Sequence, residues 1–185
     1  MSDVNMNTKM SKDFPKVIFT EEEIANRVAE IGVQITNDFC DKQEDGIVVM
    51  CILKGAATFM CDLCKHIDLK IKTEFMCVSS YADSTQSSGR PQIVKDLDAD
   101  ISGKHIIIAE DIVDSGITLD FLIKHLSARG AKTITIAAFL HKHIAVRDVP
   151  VEYICFDCPD EFIVGYGLDY AQYYRNLPYV SGLGE

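Results

Sequence analysis

The chain has 185 residues, 48% of them apolar, with seven cysteines and a formal net charge of −10. That length suits one domain with a sizeable core, and an acidic chain without a Lys/Arg run disfavours nucleic acid and anionic membranes as partners. No apolar run reaches the length of a membrane span, nothing at the N-terminus reads as a signal peptide, and an odd cysteine count fits a reducing compartment, so the expected location is cytoplasmic.

Residues 1–16 are polar and aperiodic and are expected to form a mobile leader before a single domain over 17–185. Thr20-Glu21-Glu22-Glu23 is a capping box, and Ile24, Val28, Ile31 and Ile35 recur at helical spacing. A continuous apolar strand over 47–53 runs into Lys54-Gly55. Phe59, Met60, Leu63 and Ile67 then mark a helical stripe that takes in Cys61 and Cys64. Cys61/Cys64 and Cys155/Cys158 both have CxxC spacing, but the pairs lie about 90 residues apart, so core packing is preferred to a zinc site.

Residues 71–81 contain a second strand, and 82–89 are almost wholly small and polar. With Pro91 and Ile93-Val94 beyond, this reads as a long hairpin with a flexible tip. A strand over 105–109 follows, then a helix marked by Leu119, Leu122, Ile123 and Leu126 and stopped by Gly130. Strands over 133–140 and 151–156 complete an alternating α/β order. It predicts a mainly parallel sheet covered on both faces, with its ligand at the C-terminal strand ends and its core over about 40–157. The aromatic, turn-rich tail from 158 onward is expected to pack over the sheet edge, the terminal segments together forming a small hood.

Residues 106–118, Ile-Ile-Ile-Ala-Glu-Asp-Ile-Val-Asp-Ser-Gly-Ile-Thr, carry the chemistry. Acids delivered to a strand end beside four β-formers need a partner such as sugar hydroxyls or a metal. Glu110 and Asp111 are neighbours, and neighbours on an ideal strand point to opposite faces, so both reach one ligand only if the chain turns there. Asp114-Ser115-Gly116-Ile117-Thr118 can turn backbone N–H groups inward as a helix starts, and the Ser115 and Thr118 hydroxyls add donors around an anion. A diol site beside a phosphate site suggests a ribose 5-phosphate. In this arrangement the segment resembles the phosphoribosyl-pyrophosphate signature of the type I phosphoribosyltransferases.

The resemblance covers nearly the whole chain after the leader. Leu53-Lys54-Gly55, Ser80-Tyr81 with its polar loop, Glu110 to Thr118, Lys142, and Phe162 through Arg175 occur in the order seen in the family's bacterial hypoxanthine-guanine branch. It implies the type I fold, a homodimer or homotetramer, and purine salvage. The reaction joins hypoxanthine or guanine to phosphoribosyl pyrophosphate with magnesium as cofactor, releasing pyrophosphate and IMP or GMP. By the same resemblance Lys54, Gly55 and Arg175 meet pyrophosphate, and Glu110, Asp111, Asp114, Ser115, Gly116, Ile117 and Thr118 hold the phosphoribosyl group. Asp114 is the acid–base residue beside the purine imidazole ring. Lys142, Phe162, Ile163 and Asp169 meet the purine, Ser80 and Tyr81 belong to the closing loop, and Glu110, Asp111 and Asp169 hold magnesium. In the family the Leu53–Lys54 peptide can be cis.

Plainer readings stand beside these. Lys54 alone is a surface lysine ending a strand, Asp114 a helix N-cap and Phe162 a core residue. The chain also departs from the family pattern. Where two basic residues usually follow the lysine, it has His143-Ile144-Ala145-Val146 and only then Arg147, which leaves that pyrophosphate contact open. Ala56 and Ala82 stand where glycine or serine is common, and His141 and His143 alternate on a strand end, expected to face solvent. Lys142 and the segment around Phe162 argue against an adenine enzyme, whereas acceptance of xanthine stays open. A nucleic-acid-binding regulator on this fold would need a basic face, and a receiver domain has no reason to carry Asp114 to Thr118 after the acid pair.

Overall fold

A computed structural model of the chain describes residues 16–80, 91–142 and 149–182. The first elements are β1 (Lys16–Phe19) and α1 (Glu21–Phe39). The Thr20 hydroxyl accepts from the Glu23 N–H at 3.2 Å while the Glu23 carboxylate accepts from the Thr20 N–H at 2.8 Å, completing the expected capping box. Ile24, Val28, Ile31 and Ile35 then share the buried face of α1.

Next come β2 (Ile47–Leu53), α2 (Ala57–Lys65), β3 (Ile71–Ser80), β4 (Pro91–Lys95), β5 (His105–Val113), α3 (Ile117–Ala128), β6 (Thr133–His141) and β7 (Tyr153–Asp157). The six strands form one sheet in the order β4-β3-β2-β5-β6-β7, all parallel except β4, which pairs antiparallel with β3. α1 and α2 cover one face and α3 the other, which is why β2 is apolar at every position and β5 is apolar from Ile106 to Ala109. On β5, Ile107 and Ala109 pack with α1 and α2, whereas Ile106 and Ile108 pack with Leu119, Leu122 and Leu126 of α3. Arg27 of α1 reaches the outer strand β7 and donates to the Cys155 and Ile154 carbonyls at 3.0 and 2.8 Å.

A second sheet, β1-β9-β8, joins the two ends of the chain, with β8 (Ile163–Val164) and β1 both antiparallel to β9 (Val180–Gly182). Its Ile163 and Val180, with Tyr166 and Leu168 of the intervening loop, extend the core on the α1/α2 side. This is the expected hood. Lys16, assigned to the leader by its polar context, is the first residue of β1 and pairs with Gly182.

Three local expectations need correction. β5 does not stop at Ala109 but runs to Val113, because β6 goes on pairing with it: Glu110 lies opposite Ala138 and Ile112 opposite Leu140. Cys61 is exposed rather than part of the apolar stripe, since a stripe through 59, 60, 63 and 67 leaves 61 on the outer side of α2; Cys64 does pack against the core. His141 is half-buried, not at the solvent. Burial pushes the Cys51 and Cys155 thiols up to about 12, so both behave as small apolar side chains. No helix among the described residues is long and apolar enough to cross a membrane. The leader through residue 15, Tyr81, the loop over 82–89 with Ala82, and the segment with His143 and Arg147 lie outside the described residues.

Candidate active site

Because β5 stays extended through the acid pair, Glu110 and Asp111 point to opposite faces of the sheet. Glu110 is 9% exposed and turns toward the α3 side, where its Oε2 is buried without a hydrogen-bond partner. It lines a cleft of about 80 Å³ together with Asp114, Ser115, Gly116 and Thr118. Burial holds its carboxyl well above the ordinary range, and the neighbouring Asp111 charge adds to this. A buried carboxylate oxygen without a protein partner is a group that a bound ligand can satisfy.

The loop that closes this cleft is built by Gly116, whose φ of +73° turns the chain into α3. Gly116 is the N-cap and no side chain caps the helix, so the first-turn N–H groups are left for an anion. Asp114 therefore does not cap α3, against the plainer reading. Its carboxylate is 64% exposed and its Oδ1 lies 3.8 Å from the Lys142 ammonium. Ile117 opens the helix with an exposed side chain, so any part it plays falls to its backbone.

Asp111 faces the other way, toward the loop after β2. A Cβ on Gly55 would overlap its carboxylate, so only glycine permits this approach. The Leu53–Lys54 peptide in the same loop is cis, as the family resemblance implied. Above it sits the hood loop: Gly167, at φ +98°, rests on the Gly55 carbonyl where a side chain has no room. Arg175 donates to the Gly167 carbonyl at 2.7 Å and pairs with Asp169 Oδ1 at 2.6 Å. Lys54 donates to the Gln172 side-chain oxygen at 3.1 Å, and the Gln172 N–H donates to Asp169 Oδ2 at 2.8 Å. Lys54, Gly55, Asp111, Asp169 and Arg175 thus gather into one cluster. The Asp111 carboxyl is pushed up by burial; the N–H groups of Ile112 and Asp111 itself and the Arg175 charge oppose that rise, while Asp169 adds to it. These donors are hard oxygens, and among the described residues no three His, Cys, Asp or Glu side chains converge on a metal position. That suits a magnesium ion held by one or two carboxylates and completed by water and ligand phosphates, better than it suits zinc.

The residues expected to meet the purine fall into two groups. Lys142, at the end of β6, is fixed by its N–H to the Val113 carbonyl at 2.8 Å and faces Asp114. Phe162 is 50% exposed and meets Tyr170 edge-on at 5.6 Å, which rules out a core role, while Ile163 beside it is buried in β8. Ser80 ends β3, opposite Pro91. Sequence reasoning passed over Gln172, whose only signal was its nearness to Arg175. It also passed over Tyr166, which donates to Asp62 at 2.9 Å and is set between two glycines of positive φ.

Residues 16–171 match the model of the phosphoribosyl transferase domain. The chain belongs to the phosphoribosyl transferase family. Among its relatives is a hypoxanthine-guanine phosphoribosyltransferase of Bacillus subtilis, 46% identical over 175 residues, which are 94% of this chain and 96% of that protein. One of the same name from Streptococcus thermophilus is 45% identical over 177 residues, 95% and 97% of the two chains. A solved hypoxanthine phosphoribosyltransferase from Staphylococcus aureus superposes with a TM-score of 0.89 at 43% identity, covering 97% of this chain and 96% of that one. In phosphoribosyl transferase terms, the acid pair and the Asp114 to Thr118 loop lie inside the matched span, and Gln172 and Arg175 lie just past its end.

Proposed function

We propose that the chain transfers the 5-phosphoribosyl group of phosphoribosyl pyrophosphate to hypoxanthine or guanine, giving IMP or GMP and pyrophosphate. The observation that carries this reading is the split acid pair. Glu110 faces an uncapped helix start on one side of β5, and Asp111 faces the Gly55 loop and the Arg175 charge on the other. A ligand lying over the end of β5 with a phosphate toward α3 and a second phosphate group toward Lys54 and Arg175 meets both.

In the reaction the C1–oxygen bond to pyrophosphate breaks as a bond from C1 to the purine nitrogen forms. Positive charge grows on the ribose while negative charge grows on the leaving group. The N–H groups at Gly116, Ile117 and Thr118 with the Ser115 hydroxyl take the 5-phosphate, and Glu110 takes a ribose hydroxyl. Lys54, the amides around Gly55 and Arg175 take the pyrophosphate. Asp111 and Asp169 would hold magnesium, which supplies charge neutralisation on the leaving pyrophosphate. Asp114 accepts the imidazole proton of the purine as the new bond forms, a role worth about 10² to 10⁴ in rate. Lys142 donates to the 6-oxygen; having only donors, it opposes the 6-amino group of adenine. Phe162 supplies an aromatic face, and the backbone near Ile163 and Asp169 reads the purine edge. A homodimer or homotetramer, as the family resemblance implies, and a cytoplasmic location, in keeping with the odd cysteine count, complete the reading.

The test is to incubate the protein with phosphoribosyl pyrophosphate, magnesium and each purine separately. Nucleotide is expected from hypoxanthine and from guanine. Failure of both 6-oxopurines to react overturns the proposal.

A further inference from the structure

Gln172 has no part in the reaction just set out, yet it touches both cations assigned to pyrophosphate. Its side-chain oxygen accepts from Lys54 Nζ at 3.1 Å and from Arg175 Nη2 at 3.5 Å. Its backbone is held by the N–H bond to Asp169 Oδ2, at φ +71°, and Ala171 before it has φ +50°. Such left-handed backbone suits glycine and is uncommon for other residues. A glutamine at this position keeps its side chain in spite of its backbone. One neutral acceptor therefore bridges two like charges, from the loop after β2 and from the hood, which would otherwise repel. Lys54 is exposed, and without the bridge its long side chain would spread over many rotamers.

We infer that Gln172 is a positioning residue that holds the Lys54 ammonium beside the Arg175 guanidinium as a preformed seat for a pyrophosphate group. The inference rests on the reading above that these two cations receive pyrophosphate. Its chemistry also requires neutrality. Asp169 already pairs with Arg175. A carboxylate in place of the amide would bring the four side chains Lys54, Arg175, Asp169 and residue 172 to zero net charge and compete with the incoming anion. Glutamine aligns the cations and leaves their charge to the ligand.

The test uses Gln172→Gly and Gln172→Glu, with binding of pyrophosphate plus magnesium, binding of IMP, and thermal unfolding each measured on the whole protein. Glycine relieves the left-handed backbone while removing the acceptor, so its unfolding temperature is expected to match or exceed that of the unaltered protein. Its pyrophosphate affinity is expected to fall by roughly threefold to tenfold, and that of Gln172→Glu by about tenfold or more, the scale of one exposed charge interaction. IMP affinity should stay within about twofold, since no pyrophosphate is present to sense the cations. The KM for phosphoribosyl pyrophosphate should rise in both variants with kcat little changed. Unaltered pyrophosphate affinity in Gln172→Gly overturns the inference, as does a parallel loss of pyrophosphate and IMP binding. If the unaltered protein forms IMP while either result appears, the reaction stands and only the role of Gln172 falls. If it forms none, the proposed reaction fails first.

Discussion

Asp114 projects from the turn before α3 with its carboxylate 3.8 Å from the Lys142 ammonium, and it caps no helix. Asp114→Asn is therefore expected to lower kcat by about 10² to 10⁴ and leave the unfolding temperature and sugar-phosphate binding nearly unchanged. Kinetics beside a thermal melt check this, and near-normal turnover would remove the acid–base role. Glu110 gives a pH-dependent prediction. Its folded carboxyl is raised above the unfolded value, so its contribution to stability is full below the unfolded value, near 4.3, and is lost as pH rises through the folded one. Glu110→Gln should accordingly melt higher than the unaltered protein at neutral pH, with the gain shrinking toward pH 4, while binding phosphoribosyl pyrophosphate more weakly. A gain that is the same at both pH values contradicts a buried, ligand-directed acid. Tyr166 is a plainer case: losing its hydroxyl bond to Asp62 through Tyr166→Phe should cost about 1 kcal/mol, because Asp62 keeps its pairing with Lys65. A denaturant titration reads that difference, and a change near zero would mean the hydroxyl does not anchor the hood.

Among the elements, β5 shows how far local reading reaches. Acids at 110 and 111 look like a strand end because buried strands rarely carry them, yet pairing with β6 carries the ladder past Ala109 to Val113. Which strand lies alongside is tertiary information, absent from the local pattern. The consequence was nonetheless legible from strand geometry, since neighbours on an extended strand point to opposite faces. The same limit explains Cys61, which shares a CxxC spacing with Cys64 but not its helix face, and Asp114, whose N-cap role is taken by Gly116. Capping box, hydrophobic stripe and hairpin strands were all readable, because each is set by contacts within a few residues. Gly55 supports an element-level prediction. Gly55→Ala places a methyl group where the Asp111 carboxylate sits and must shift the loop or the acid, so kcat/KM should drop by roughly 10². Activity within twofold of normal would show that the close approach is unimportant.

At the scale of the molecule, the parallel sheet brings the loops after β2 and β5 to one edge, and the hood folds the chain's end over them. The order of strands and helices made the sheet readable. The hood's pairing of β1 with β9 was not, because it joins residues more than 150 apart that carry no local signal for each other. Gln172 was hidden for the same reason: its meaning comes from Lys54, a residue on the far side of the sequence. What remains to be measured is whether this arrangement selects 6-oxopurines. Hypoxanthine, guanine and adenine should be supplied together at equal concentration with limiting phosphoribosyl pyrophosphate and magnesium, and the nucleotides and pyrophosphate quantified by mass spectrometry. IMP and GMP are expected, with one pyrophosphate released per nucleotide and AMP lower by about 10⁴, the scale on which a buried donor rejects a mismatched partner. AMP in amounts comparable to IMP, or nucleotide formed without matching pyrophosphate, would contradict the account.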